Sequence, residues 1–130
     1  MRPIPIAIYL LAAVAPPVAA QGVQAGPAVA ALRQLSDSGA RQGIGERVVI
    51  TGPVVQVKSH AHDGTAYLNF GGRFPDHTFS VIIPDTAVAR FGDLIRFEGH
   101  RARVTGTIWL QDGKYPAMTL TDPAALELLP

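Results

Sequence analysis

The stretch from Ala66 to Pro84, "AYLNFGGRFPDHTFSVIIP", decides the fold. It reads as a strand ("AYLNF"), a glycine-rich turn ("GGRFPD"), a second strand ("HTFSVII") and a proline stop. Successive side chains of a strand point to opposite faces. Tyr67 and Asn69 therefore share one face, and Leu68 and Phe70 the other. In the second strand Phe79, Val81 and Ile83 turn inward, which leaves Thr78 and Ser80 outward. The stretch also holds Tyr67, Phe70, Phe74 and Phe79, half of the chain's five Phe and three Tyr. Parity assigns Phe70 and Phe79 to the core and leaves Tyr67 and Phe74 free to meet a ligand.

Upstream, "ERVVITGPVVQVKSH" (46–60) is a long Val/Ile-rich strand with Gly52-Pro53 inside it. A Gly-Pro pair within a strand marks a bulge or sharp bend. "HDG" (62–64) is a hairpin turn. Downstream, Pro84-Asp85 opens a short helix with Ala87, Val88 and Phe91 on one side, and Gly92 stops it. "HRARVTGTIWLQ" (100–111) is a fourth strand, "DGK" (112–114) a hairpin turn and "YPAMTL" (115–120) a fifth strand. "DPAALELL" (122–129) reads as a closing short helix capped by Asp122. Three strands, a short helix and two strands, with a bent first strand, is the order of an all-β OB-fold. That fold is a five-stranded Greek-key barrel with one short helix between strands 3 and 4.

The beginning of the chain has a different character. "MRPIPIAIYLLAAVAPPVAAQG" has a basic start, an apolar run and small residues at 18–20. It is expected to be a signal peptide over 1–20, cleaved after Ala20, which places the protein in the periplasm or outside the cell. The run is too short and too proline-broken to span a bilayer. Residues 21–43 form a linker in which Val29, Leu32 and Leu35 have the spacing of a short helix. The barrel domain is expected over 44–130.

The segments "GERVVITGPVVQVKSHAHDGTAYLNFGGRFPDHTFSVII" and "VTGTIWLQDGKYPAMTLTDPAAL" resemble a family of bacterial exported OB-fold proteins grouped with nucleic-acid-binding domains. The similarity covers roughly Gly45 to Leu129. It lies in the "YLNFGG" strand and turn, the "FSVII" strand, the "VTG.I" strand and the closing "DP". It implies the OB-fold and DNA binding. The "LNFG" signature is also similar to regions of some thermonuclease-like proteins, but the chain holds no "DxYGR"-like segment and none of their catalytic set.

An OB-fold that binds single strands lays bases on aromatics of its second and third strands, with basic residues near the phosphates. The face expected to bind ligand is thus Tyr67, Asn69, Thr78 and Ser80, with Arg73 and Phe74 in the turn and Lys58 on the first strand. Charge restrains this expectation. Without Arg2 the eleven Lys and Arg become ten, against ten Asp and Glu. A protein that grips phosphates by charge alone carries a basic excess. Arg96, Arg101 and Arg103 cluster near the fourth strand, with Asp93 and Glu98 beside them.

Other chemistry finds little footing. With no cysteine there is no disulfide, no thiolate nucleophile and no cysteine-ligated zinc. "HAHD" (60–63) sets His60 and His62 two apart, half of a metal site at most, needing His77 or Asp76 to complete it. It reads first as a polar loop, and no cofactor is expected. No serine has a nucleophile-elbow context, and the acidic residues stand singly in turns or helix starts. The expectation is a non-enzymatic binding module. Its partner would be single-stranded nucleic acid or another extended ligand, or alternatively a protein bound by an interaction or envelope stress module of the same fold.

Overall fold

The computed structural model describes residues 31–130. The expected signal peptide, its cleavage site and the linker up to residue 30 lie outside them. One compact unit spans Leu32–Pro130. Its strands are β1 (Arg33–Ser36), β2 (Arg47–Ser59), β3 (Ala66–Phe70), β4 (Phe79–Ile83), β5 (Arg101–Thr107), β6 (Trp109–Gln111), β7 (Tyr115–Thr119) and β8 (Leu126–Leu128). Among the described residues the one α-helical turn, α1 (Asp85–Val88), lies between β4 and β5.

The sheet runs β6-β7-β4-β3-β2-β5-β8, with β1 added beside β2. β2, β3 and β4 form an antiparallel meander. After α1 the chain returns to place β5 antiparallel to the first half of β2, and β7 then runs parallel to β4. This is the OB-fold connectivity. The sheet is not closed. β5 stays with β2 through Thr107, and β6 joins β7 from Trp109, with Ile108 alone between the two strands.

The bent strand serves two neighbours as its sequence suggests. Arg47–Pro53 pairs with β5, and the half beyond the bend pairs with β3. The bulge sits slightly beyond Gly52-Pro53, between Val54 and Gln56, which pair with the adjacent residues Phe70 and Asn69. Val55 is the extra residue that turns the strand.

Period-two alternation builds the interior. Leu68 and Phe70 of β3, Phe79, Val81 and Ile83 of β4, and Val104 of β5 are fully buried. Phe70 and Phe79 meet edge to face, 5.3 Å between ring centroids. Ala87 and Phe91 add the buried side of the helical segment, and Gly92 ends it with a positive φ of 71°.

Three expectations are corrected. Among the described residues the open sheet has eight strands rather than five, because short strands β6 and β8 lie at its edges and β1 pairs beside β2. Residues 33–36 of the expected linker are strand, parallel to Val48–Thr51, with a 3-10 helix over Asp37–Gly43. An unpaired edge of β2 was available there. Leu35 packs against the core and Ala40 is fully buried, so the spacing read as helical supplies one inward residue of a strand. The helix expected over 122–129 is a single 3-10 turn, Pro123–Ala125. Asp122 Oδ1 caps it, accepting from the Ala124 N–H at 3.0 Å. Leu126–Leu128 then pairs with β5, which satisfies more backbone groups than a free helix end would.

Candidate ligand-binding cleft

The outer face of β3 and β4 presents Tyr67, Asn69 and Ser80, the residues between the core positions. Asn69 is 3% exposed and Ser80 1%, so both form a floor rather than a rim. The Ser80 hydroxyl donates to Asn69 Oδ1 at 2.9 Å, and Asn69 Nδ2 donates to Gln56 Oε1 at 2.9 Å. Gln56 Oε1 also accepts the Phe74 N–H at 2.9 Å, tying the β3–β4 turn to β2. A buried polar floor is stable only when its groups are paired, and this one is.

Above this floor is a cleft of about 380 Å³. Lys58, Tyr67, Asn69, Phe74 and Ser80 line it, together with His60, His77, Gln111 and Asp112. Five of the seven residues expected to meet ligand are thus brought together. The walls are aromatic. His60 lies 4.8 Å from the Tyr67 ring on one side. A second cluster joins Phe74, His77 and Tyr115, with His77 stacked on Tyr115 at 4.7 Å and Phe74 5.4 Å from His77. Phe74 is 56% exposed, an unusual position for a ring with an interior role. Lys114 reaches over the Tyr115 ring, 5.6 Å from its centroid.

The two mouths of the cleft are hairpin turns. The loop after β2 is held by the Gly64 N–H donating to the His60 carbonyl at 2.7 Å and by the Thr65 N–H donating to Asp63 Oδ1 at 3.0 Å. That second bond holds the Asp63 carboxyl below its ordinary value of 3.8. At the other mouth Asp112 and Gly113 both have positive φ, 55° and 67°, as a two-residue hairpin turn requires.

Two expected residues fall elsewhere. Thr78 precedes the first paired residue of β4, so strand parity does not govern it. Its single hydroxyl proton is shared between the Asp37 carboxylate and the Phe70 carbonyl, which turns it toward the 3-10 helix. Gly52 and Gly71 make room for the Asp37 carboxylate there, since a Cβ on either would clash with it. Arg73 is exposed in the turn but does not line the cleft. The lining residues not foreseen, His60, His77, Gln111 and Asp112, come from the loop after β2, the turn before β4 and the β6–β7 hairpin. The order of the fold was their signal, because OB-folds bind with that hairpin as well as with the central strands.

His77 is 8% exposed, and its Nδ1 is buried without a hydrogen-bond partner. Burial lowers its pKa from the ordinary 6.5, against the raising effect of Asp76. A lowered folded-state pKa favours the neutral ring, so its stability contribution is full above 6.5 and is lost as pH falls through the folded value. The melting temperature is expected to drop as pH goes below 6.5, and His77→Phe should flatten that part of the profile. An unchanged profile in the variant would contradict this assignment.

The basic cluster around the start of β5, Arg96, Arg101 and Arg103, makes no comparable site. Arg103 pairs with Glu127 at 2.8 Å, and Arg96 lies 4.6 Å over the Phe97 ring. Among the described residues no three His, Asp or Glu side chains converge to hold a metal. Among them, too, no helix is long and apolar enough to cross a membrane.

No protein-family model matches the chain, and no curated protein matches it. Solved structures do. A protein assigned as an aspartyl-tRNA synthetase from Leishmania major aligns with a TM-score of 0.50 at 9% identity, over 75% of this chain and 21% of that one. Yeast Stn1 and Ten1 align at 0.49 and 12% identity, over 76% of this chain and 63% of that one. A protein assigned as a nucleic acid-binding lipoprotein from Klebsiella pneumoniae aligns at 0.47 and 15% identity, over 82% of this chain and all of that one. The chain thus spans about a fifth of the synthetase. At 9% identity the likeness to the synthetase concerns the fold alone.

Proposed function

We propose that this chain is an exported, non-enzymatic module that holds single-stranded nucleic acid across β3 and β4. The observation that carries the proposal is the convergence of two aromatic pairs, Tyr67 with His60 and Phe74 with His77, on one cleft, the second backed by Tyr115 stacked on His77. Its volume, about 380 Å³, suits one or two unstacked bases and falls at the small end of ligand sites, which run from about 300 to 1,000 Å³. Stacking on such rings tolerates any base, because every base has a π face. The second hydrogen of Asn69 Nδ2 and the Gln111 amide supply polar contacts to base edges. Lys58 at the cleft, with Lys114 and Arg73 nearby, meets the backbone phosphates. Stacking would supply most of the affinity, since the charge of the chain is balanced. The test is titration of a labelled oligothymidine at low salt.

A second reading follows from that balance. With ten basic residues offset by ten acidic ones beyond Arg2, the same aromatic cleft would hold an extended protein segment instead. Exposed Phe74 is the kind of anchor such interfaces use. Failure of both DNA and RNA to bind would favour this reading.

A further inference from the structure

The barrel opens a second time where it fails to close. No ladder joins β5 to β7, and the split between them is a cleft of about 490 Å³. Parity along β5 and β6 turns Thr105, Thr107 and Trp109 outward, while Val104, Gly106 and Ile108 are buried. Thr119 of β7 faces them, Arg47 enters from the start of β2, and Asp122 closes the far side. Trp109 is 41% exposed, yet its ring is not free to turn. The indole N–H donates to Thr119 Oγ1 at 3.1 Å.

We propose that this cleft binds a neutral saccharide, with Trp109 as the platform for one face of a sugar ring. A pyranose has an apolar C–H face and an edge of hydroxyls that both donate and accept. The cleft mirrors this. A held indole provides the rigid apolar surface, and threonine hydroxyls, which also donate and accept, line its sides. Arg47 is a donor and Asp122 an acceptor, and their charges offset each other. A polyanion would find no net positive charge here, and an apolar peptide would meet too many hydroxyls. The cleft is separate from the β3–β4 face and shares no residue with it.

The chain has a single tryptophan, so tryptophan emission reports on this cleft alone. The full domain is titrated with cellotetraose, maltotetraose and chitotetraose. At least one is expected to shift the emission saturably, with a dissociation constant of about 1 mM or tighter. By calorimetry, Trp109→Ala and Arg47→Ala should each weaken that binding, the first by about tenfold or more, while Tyr67→Ala leaves it unchanged. Retained circular dichroism confirms that the variants are folded. No response to any of the three sugars at about 10 mM would overturn the proposal, as would wild-type affinity in Trp109→Ala. A saturable response to oligothymidine in place of the sugars would also overturn it and assign the cleft to a nucleic-acid path.

Discussion

Phe70→Ala is expected to destabilise the domain by about 3–5 kcal/mol, a large share of the about 5–15 kcal/mol that holds a typical domain folded. Phe70 is fully buried at the last position of β3, where β2 bulges and the turn to β4 begins. Its ring packs edge to face on Phe79, and its carbonyl accepts both the Thr78 amide and the Thr78 hydroxyl. Truncation leaves a cavity between two strands of an open barrel, whose walls are held by ladders and relax only partly. Urea denaturation measures the effect as a fall in midpoint at nearly constant slope. A loss under about 1 kcal/mol would mean that Phe70 is not the interior residue that strand parity makes it.

The combined change Tyr67→Ala, Phe74→Ala is expected to weaken oligothymidine binding by about a hundredfold, since each stacked base contributes about 1–3 kcal/mol. The two rings belong to the two opposing aromatic clusters, so the double variant leaves neither platform complete. Tyr67 is half-buried and Phe74 exposed, and neither is in the core, so the fold should survive. Anisotropy titration of wild type and variant at matched low salt gives the ratio. Equal affinities would remove the β3–β4 face from consideration. Arg101→Ala serves as the control, because Arg101 is exposed on β5 and does not line the cleft.

What was legible in the chain follows from which signals are local. Period-two alternation in "AYLNF" and "FSVII" placed Phe70 and Phe79 inside and Tyr67, Asn69 and Ser80 on the other face. Gly52-Pro53 announced the bend of β2 to within a few residues. Non-local pairing was less visible. β1 exists because β2 offers it a parallel edge, and β8 because β5 does, and neither short segment carries a pattern of its own. The Thr78 expectation extended parity one residue beyond the strand that enforces it. His77 and Tyr115 are 38 residues apart in number, and only the parallel pairing of β4 with β7 brings their rings into contact. Ser80 was placed on the correct face but expected at the surface. The turn and the loop hairpins roof that face and make Ser80 the floor of a cleft.

Whether the β3–β4 cleft holds single-stranded nucleic acid mainly by stacking is decided by the anisotropy of a labelled oligothymidine titrated with the wild-type domain at a series of salt concentrations, repeated with oligouridine. Saturable binding is expected at low salt, with a log–log salt slope of roughly −2, because about three cations (Lys58, Arg73 and Lys114) each contribute about −0.7. No binding of either strand at low salt would rule out nucleic acid as the ligand of this cleft.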